Sequence, residues 1–375
     1  MGRRAFAAAL AAAAAAAMAR PLRSVAMAGA AAQTIALKDI VPADWLIGAA
    51  LNQNQVDGRD TVAVDLVTRQ FNTISPENAL KFQSLHPEPD RYTFEPADRY
   101  VAFGRDRGMA VIGHNLVWHS QTPRWVWDAP DGTLADRATM LARLQTHIAT
   151  VVGRYKGRIR GWDVVNEALS EDGTLRDSPW RRGIGDDYVA QAFQFARETD
   201  PNAELYYNDY NLVTRPEKRA GAIRIIKDLQ QRGIRIDAVG EQGHWRLNLP
   251  TAADLDQAIT ELGATGVKVM ITELDVNLLP PGQPARGQPP SPESNPYANG
   301  LPDDMQQALA RYYGDAFRVL LKHRDDISRV TFWGVSDGDS WLNRGRVNHP
   351  LLWDRQRQPK PAFDEVARVL MTARR

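Results

Sequence analysis

Eight short runs of strand-forming residues, separated by stretches of helical periodicity, leave this chain very few architectures. The runs fall near residues 45–51, 71–75, 109–113, 161–165, 203–207, 236–240, 267–272 and 329–334. Between them, apolar residues recur every three or four positions. Leu141, Leu144, Ile148, Val151 and Val152 share one face of 135–153, and Ala222, Ile225, Ile226 and Leu229 one face of 217–232. Leu309, Tyr312, Tyr313, Phe317 and Leu320 do the same in 305–322, and Thr251 with Asp254 has the spacing of a capping box. Strands joined through helices pair in parallel and need helices over their outer face. Eight such units predict an α/β fold, a single (β/α)8 TIM barrel. An open doubly wound sheet would usually carry a Gly-rich phosphate loop after its first strand, and residues 51–59 hold none.

At 375 residues the chain could be one large barrel or two ordinary domains. Residues 280–302 hold eight of its 23 prolines and break the rhythm. Only one strand–helix unit follows them, too little for a domain, so they read as a long βα loop at the active-site rim and not as a linker. The start reads differently. Arg3 and Arg4 precede an apolar, Ala-dominated run over 5–19, followed by small residues through Ala32, so residues 1–32 are expected to be an export signal. Ala5-Phe6 after the paired arginines also fits a twin-arginine signal. The mature chain, residues 33–375, would then be a catalytic barrel exported to the periplasm or the medium. The run is too short to span a membrane. Residues 1–32 carry four arginines and no acids, so their removal takes the formal charge from +1 to −3, which argues against a nucleic-acid partner. With no cysteine, neither disulfides nor thiolate chemistry can be invoked.

Chemistry gathers where the strands end. The fourth run closes on Asn166-Glu167 and the seventh reaches Glu273, two carboxyls at strand ends, which is the minimal kit for glycoside hydrolysis. One carboxyl donates a proton while the other attacks or activates water. Glu77, Asn78 and Lys81 follow the second run; His114, Asn115, Trp118 and His119 the third; Asn208, Asp209 and Tyr210 the fifth; Gln242 and His244 the sixth. Asp275 accompanies Glu273, and Trp333 and Trp341 follow the eighth. Ten tryptophans in the chain supply faces on which sugar rings stack. A metal centre is not expected: the seven histidines are scattered, and His114 with His119 lacks the helical spacing of a zinc pair. No cofactor is expected either.

The chain resembles glycoside hydrolase family 10, chiefly retaining endo-β-1,4-xylanases. The matching motifs are Ser-Pro-Glu-Asn-Ala-Leu-Lys-Phe (75–82), Gly-His-Asn-Leu-Val-Trp-His-Ser-Gln (113–121), Trp-Asp-Val-Val-Asn-Glu (162–167), Tyr-Asn-Asp-Tyr-Asn (207–211), Gly-Glu-Gln-Gly-His (240–244), Ile-Thr-Glu-Leu-Asp (271–275) and Trp-Gly-Val-Ser-Asp (333–337). They follow the family's order over roughly residues 35–372. The resemblance implies Glu167 as general acid/base, protonated by a raised pKa, and Glu273 as nucleophile. It implies Asn166 on the 2-hydroxyl of the sugar being cleaved, and His244 with Asp275 as a relay beside Glu273, bordered by Gln242. Glu77, Asn78 and Lys81 would hold the sugar on the non-reducing side, with His114 and Trp118 close to the scissile bond. Trp333 and Trp341 would roof the site, Tyr210 would stack on the leaving-group side, and Asp209 would brace its loop. Xylan and xylo-oligosaccharides are the implied partners of a monomeric enzyme. Two rivals stay open: a non-catalytic xylan-binding barrel, and a barrel hydrolase for another β-1,4-glycan such as cellulose.

Overall fold

The computed structural model describes residues 35–282 and 289–372; the expected export signal lies outside them, as do residues 283–288 of the Pro-rich stretch. Among the described residues nine strands form, each pairing in parallel. They are β1 (Leu46–Leu51), β2 (Thr73–Pro76), β3 (Ala110–Trp118), β4 (Gly161–Asn166), β5 (Glu204–Asp209), β6 (Ala238–Glu241), β7 (His244–Arg246), β8 (Lys268–Asn277) and β9 (Ile327–Phe332). β1 pairs with both β2 and β9, and β6 pairs directly with β8, so eight strands close into a ring. The ninth, β7, lies outside that ring, setting His244 opposite Asp275 on β8.

The predicted helices form at Arg137–Tyr155, Pro216–Gln231, Ala252–Gly263 and Asp303–Lys322. Thr251 and Asp254 make the reciprocal capping box expected of them: Thr251 Oγ1 accepts from the Asp254 N–H, and Asp254 Oδ2 from the Thr251 N–H. No helix among the described residues is long and apolar enough to cross a membrane.

Two apolar layers result. The larger lies between barrel and helices; a small plug of Ile112, Tyr206, Ala238 and Met270 fills the barrel itself. Arg329 sits in that plug, its guanidinium 5.6 Å from the Tyr206 ring and its Nη1 donating to Ser75 Oγ. The interior is thus packed, and ligands meet the barrel only at its rim. Close packing demands a bare backbone in places: a Cβ on Gly113 would fall 2.1 Å from the Trp162 ring.

Two strands run further than their apolar runs. The expected ends at 113 and 272 become Trp118 and Asn277, beyond register shifts between His114 and Val117 and between Ile271 and Leu274. The polar residues that stop the apolar pattern therefore still sit on strand backbone. The described part of the Pro-rich loop packs on residues 346–349: Arg346 Nη1 donates to the carbonyls of Pro280 and Ser294, the Val347 N–H to Asn295 Oδ1, and His349 Nε2 to the Tyr297 carbonyl. No described residue of that loop lines the cleft described next.

Candidate active site

At the C-terminal rim lies a cleft of about 380 Å³, which gathers residues from seven strand ends. Lys81, His114, Trp118, Asn166, Glu167, Tyr210, Gln242, His244, Glu273, Trp333 and Trp341, all expected at the site, line it together with Asn211. Glu77, Asn78 and Asp275 stand outside this wall. Asn78 is exposed and accepts from Lys81 Nζ at 3.3 Å, whereas Asp275 is buried behind His244.

Glu273 is buried on β8 and both carboxylate oxygens are occupied. Oε1 accepts from Asn208 Nδ2 at 2.9 Å and Oε2 from His244 Nε2 at 3.0 Å. His244 Nδ1 meets Asp275 Oδ1 at 3.0 Å, and Asp275 Oδ2 takes the Trp341 indole N–H at 2.7 Å. An imidazole between two carboxylates must donate from both nitrogens, which selects the imidazolium. Burial opposes that charge, but Asp275 and then Glu273 outweigh it and raise the His244 pKa to about 10. Burial likewise favours the neutral form of Glu273. The His244 hydrogen bond, the His114 and His244 charges and the Asn208 amide prevail, and hold Glu273 below its ordinary value. Glu273 is a charged, oriented carboxylate.

Asn208 owes its orientation to its surroundings. Thr272 Oγ1 donates to Asn208 Oδ1 at 2.6 Å, so Nδ2 must face Glu273, and it also donates to Asn166 Oδ1 at 2.9 Å. Gly240 leaves room for this, since a Cβ there would lie 2.3 Å from Asn208 Oδ1. An amide chain then leads across the cleft. Gln242 Nε2 donates to Glu167 Oε1 at 3.0 Å and approaches Asn166 Oδ1 at 3.4 Å, while Asn166 Nδ2 lies 3.4 Å from the same Glu167 oxygen. Glu167 follows β4 directly with φ at +57°, a left-handed conformation that turns its side chain out of the strand's alternation. His119 Nε2 stands 4.0 Å from Glu167 Oε2.

On the other side, Lys81 is buried with its ammonium 5.1 Å from the Trp118 ring centre. His114 donates through Nδ1 to Asp163 Oδ2 at 2.8 Å, and Trp333 meets both His114 and His244 edge-on. Glu77 feels burial first and then the Asp339 charge, which together raise its pKa to about 7 against the pull of Lys81. Trp341 is 39% exposed, with its ring 4.8 Å from His244 and the Arg344 guanidinium 4.2 Å from its centre. Among the described residues, no group of three or more His, Asp or Glu is placed to hold a metal.

Asn208, Asp163 and His119 complete this site without having been assigned a role in it from the sequence. Asn208 and His119 stand at strand ends, the signal that marked the others, but Asp163 lies inside the fourth apolar run and carries no such mark.

Three comparisons bear on this geometry. The profile of "Glycosyl hydrolase family 10" matches residues 36–369. An endo-1,4-beta-xylanase A of Xylanibacter ruminicola is 42% identical over 343 residues, spanning 89% of this chain and 93% of that protein. Among solved structures, a GH10 endoxylanase retrieved from a sugarcane soil metagenome superposes with a TM-score of 0.85 at 41% identity, covering 89% of this chain and 99% of that one. The intracellular xylanase TsXylA of Thermoanaerobacterium saccharolyticum, as a Glu-to-Ala mutant holding xylotetraose, superposes at 0.79 with 33% identity, covering 88% and 98%.

Proposed function

The chain belongs to glycosyl hydrolase family 10, and from that premise we propose that it is an endo-1,4-β-xylanase that cleaves internal bonds of xylan with retention of anomeric configuration. The observation that carries the mechanism is the asymmetry of the two carboxyls. Glu273 is clamped in its charged form by Asn208 and His244, and Glu167 stands across the amide chain beside Gln242. In the first step Glu273 attacks the anomeric carbon, the bond to the leaving oxygen breaks, and Glu167 gives that oxygen its proton. Esterification removes the Glu273 charge from the cleft. In the second step Glu167 takes a proton from water, the resulting hydroxide attacks the anomeric carbon, and Glu273 leaves as carboxylate. Asn166 would hold the 2-hydroxyl of the sugar, a contact that strengthens as charge develops on the ring. Trp333 and Trp341 would close the site against the hydroxymethyl group that distinguishes glucose from xylose. Xylotetraose in the TsXylA complex supports an oligosaccharide occupant.

The deciding experiment is proton NMR of xylohexaose digestion, read in the first minutes. Early β-anomer supports the reading; early α-anomer overturns the two-glutamate roles. Glu167→Ala and Glu273→Ala should each lower kcat/KM on xylohexaose by about 10²-fold or more, and azide should rescue them with opposite anomeric products. Activity on cello-oligosaccharides equal to that on xylo-oligosaccharides would displace xylan as substrate. Export through residues 1–32 and action as a monomer belong to the same proposal. The amino terminus of the secreted protein and its elution on gel filtration test them.

A further inference from the structure

The loop that follows the acid/base folds back beneath it. Leu169 bridges Leu175, the Ser170 N–H meets the Thr174 carbonyl, and the Arg176 N–H meets the Ala168 carbonyl. This hairpin delivers the Arg176 guanidinium to three oxygens on two elements. Nε donates to the Glu167 carbonyl at 3.1 Å, and Nη2 to the Leu169 carbonyl at 2.9 Å and the Tyr210 hydroxyl at 3.0 Å. Tyr210 is held from a second direction as well: Lys218 Nζ lies 3.3 Å from its ring centre. That ammonium is fully buried and pinned to Asp209 at 3.0 Å and Glu171 at 3.1 Å. Glu171 in turn accepts from Asn211 Nδ2.

Resting on the reading of Glu167 as proton donor, we propose that Arg176 is a positioning residue that locks Glu167 and the leaving-group platform Tyr210 into one rigid unit. Proton transfer succeeds only when the carboxyl lies within hydrogen-bond reach of the glycosidic oxygen. A sugar stacked on Tyr210 sets where that oxygen lies. The distance from donor to platform is therefore a catalytic variable, and one planar guanidinium spans it. Its donors are fixed relative to one another, so it transmits position where a flexible ammonium would not. Its bond to the Glu167 carbonyl also restrains a left-handed backbone that the chain would otherwise relax. Burial opposes the Arg176 charge, and the Tyr210 hydroxyl, Asp209 and Glu167 sustain it.

The test separates bonds that need the proton from bonds that do not. In the full-length enzyme, Arg176→Met should lower kcat/KM for xylohexaose by about ten- to a hundredfold, the range a misplaced catalytic group costs. For 2,4-dinitrophenyl β-xylobioside, whose phenolate departs without a proton and without a leaving sugar, kcat/KM should change by less than about threefold. Arg176→Lys should resemble Arg176→Met. Tyr210→Phe, which removes only the hydroxyl, should cost about fivefold on xylohexaose alone and nothing more in the Arg176→Met background. Equal losses on both substrates, or additive losses in the double variant, would overturn the proposal in favour of a plain loop brace. Should Arg176→Met fail to fold, the same cycle with Arg176→Lys decides. Glu167→Ala run alongside keeps the two readings apart. If it lacks the substrate split, the acid role itself fails; if it shows the split and Arg176→Lys does not, only the present inference does.

Discussion

Asn208 shows how much a single amide can decide. It reaches Glu273, Asn166 and Thr272 at once, and only the Thr272 hydroxyl tells its two ends apart. Asn208→Ala would leave Glu273 Oε1 unpaired in a buried site and Asn166 Oδ1 with only its 3.4 Å contact to Gln242 Nε2. We expect kcat/KM on xylo-oligosaccharides to fall by about 10²-fold with the melting temperature little changed; a loss below threefold would show that His244 alone orients the nucleophile. His244 makes a pH-dependent prediction. A carboxylate whose pKa is lowered in the fold stays charged until pH falls through that lowered value, so kcat/KM should persist into acid. His244→Gln removes the positive charge that holds Glu273 down. The acid limb of the kcat/KM profile should therefore move to higher pH, and an unmoved limb would assign the limb to another group. The position of Asn208 was legible as a strand-end residue. Its orientation was not, because amide direction depends on partners 42 to 65 residues away.

At the scale of elements, the helix Arg137–Tyr155 carries the least expected of its contacts. His147 lies on its buried face, stacked on Phe82 with ring centres 3.5 Å apart, and its Nδ1 meets His86 Nδ1 at 3.3 Å. His86 donates from Nε2 to the Pro89 carbonyl, so in the neutral ring its Nδ1 accepts and His147 Nδ1 donates. His147 Nε2 has no partner among the described residues. Burial, and then the neighbouring His86, hold the His147 pKa well below its ordinary value. An imidazole with a depressed folded pKa takes its proton first in the unfolded chain. Its contribution to stability is complete above about pH 6.5 and is lost as pH falls below that, at up to about 1.4 kcal/mol per pH unit. His147→Phe keeps the stack but strands His86 Nδ1, which should cost about 1–3 kcal/mol at pH 8. Urea unfolding at pH 8, 6.5 and 5 should show that deficit shrinking towards acid; a constant deficit would exclude His147 as the acid-sensitive element. The alternation of strands and helices and the Thr251 cap were legible because both rest on local spacing. The extensions of β3 and β8 were not. Hydrophobic alternation marks a strand only while one of its faces meets an apolar layer, and at the barrel mouth those faces meet the cleft.

For the whole molecule, the eight-unit rhythm determined the class of fold, since strands joined through helices must pair in parallel and eight of them can close. The sequence also determined which residues could take part in the chemistry, because a barrel places the ends of all its strands on one rim. Eleven of the fourteen expected site residues line the cleft itself, and Glu77, Asn78 and Asp275 stand just behind or beside it. What only the tertiary structure decided is the state of those residues. Glu273 is charged and His244 is raised to about 10 because neighbours from β5, β7 and β8 meet there. Arg176 joins acid to platform because a hairpin returns it beneath Glu167. The described part of the Pro-rich loop leaves the end of β8 and grips residues 346–349, contacts that no local spacing announces. Periodicity and spacing are properties of neighbours along the chain and can be read there. Charge state, amide direction and donor geometry depend on distances between residues far apart in sequence, and those exist only once the barrel has closed.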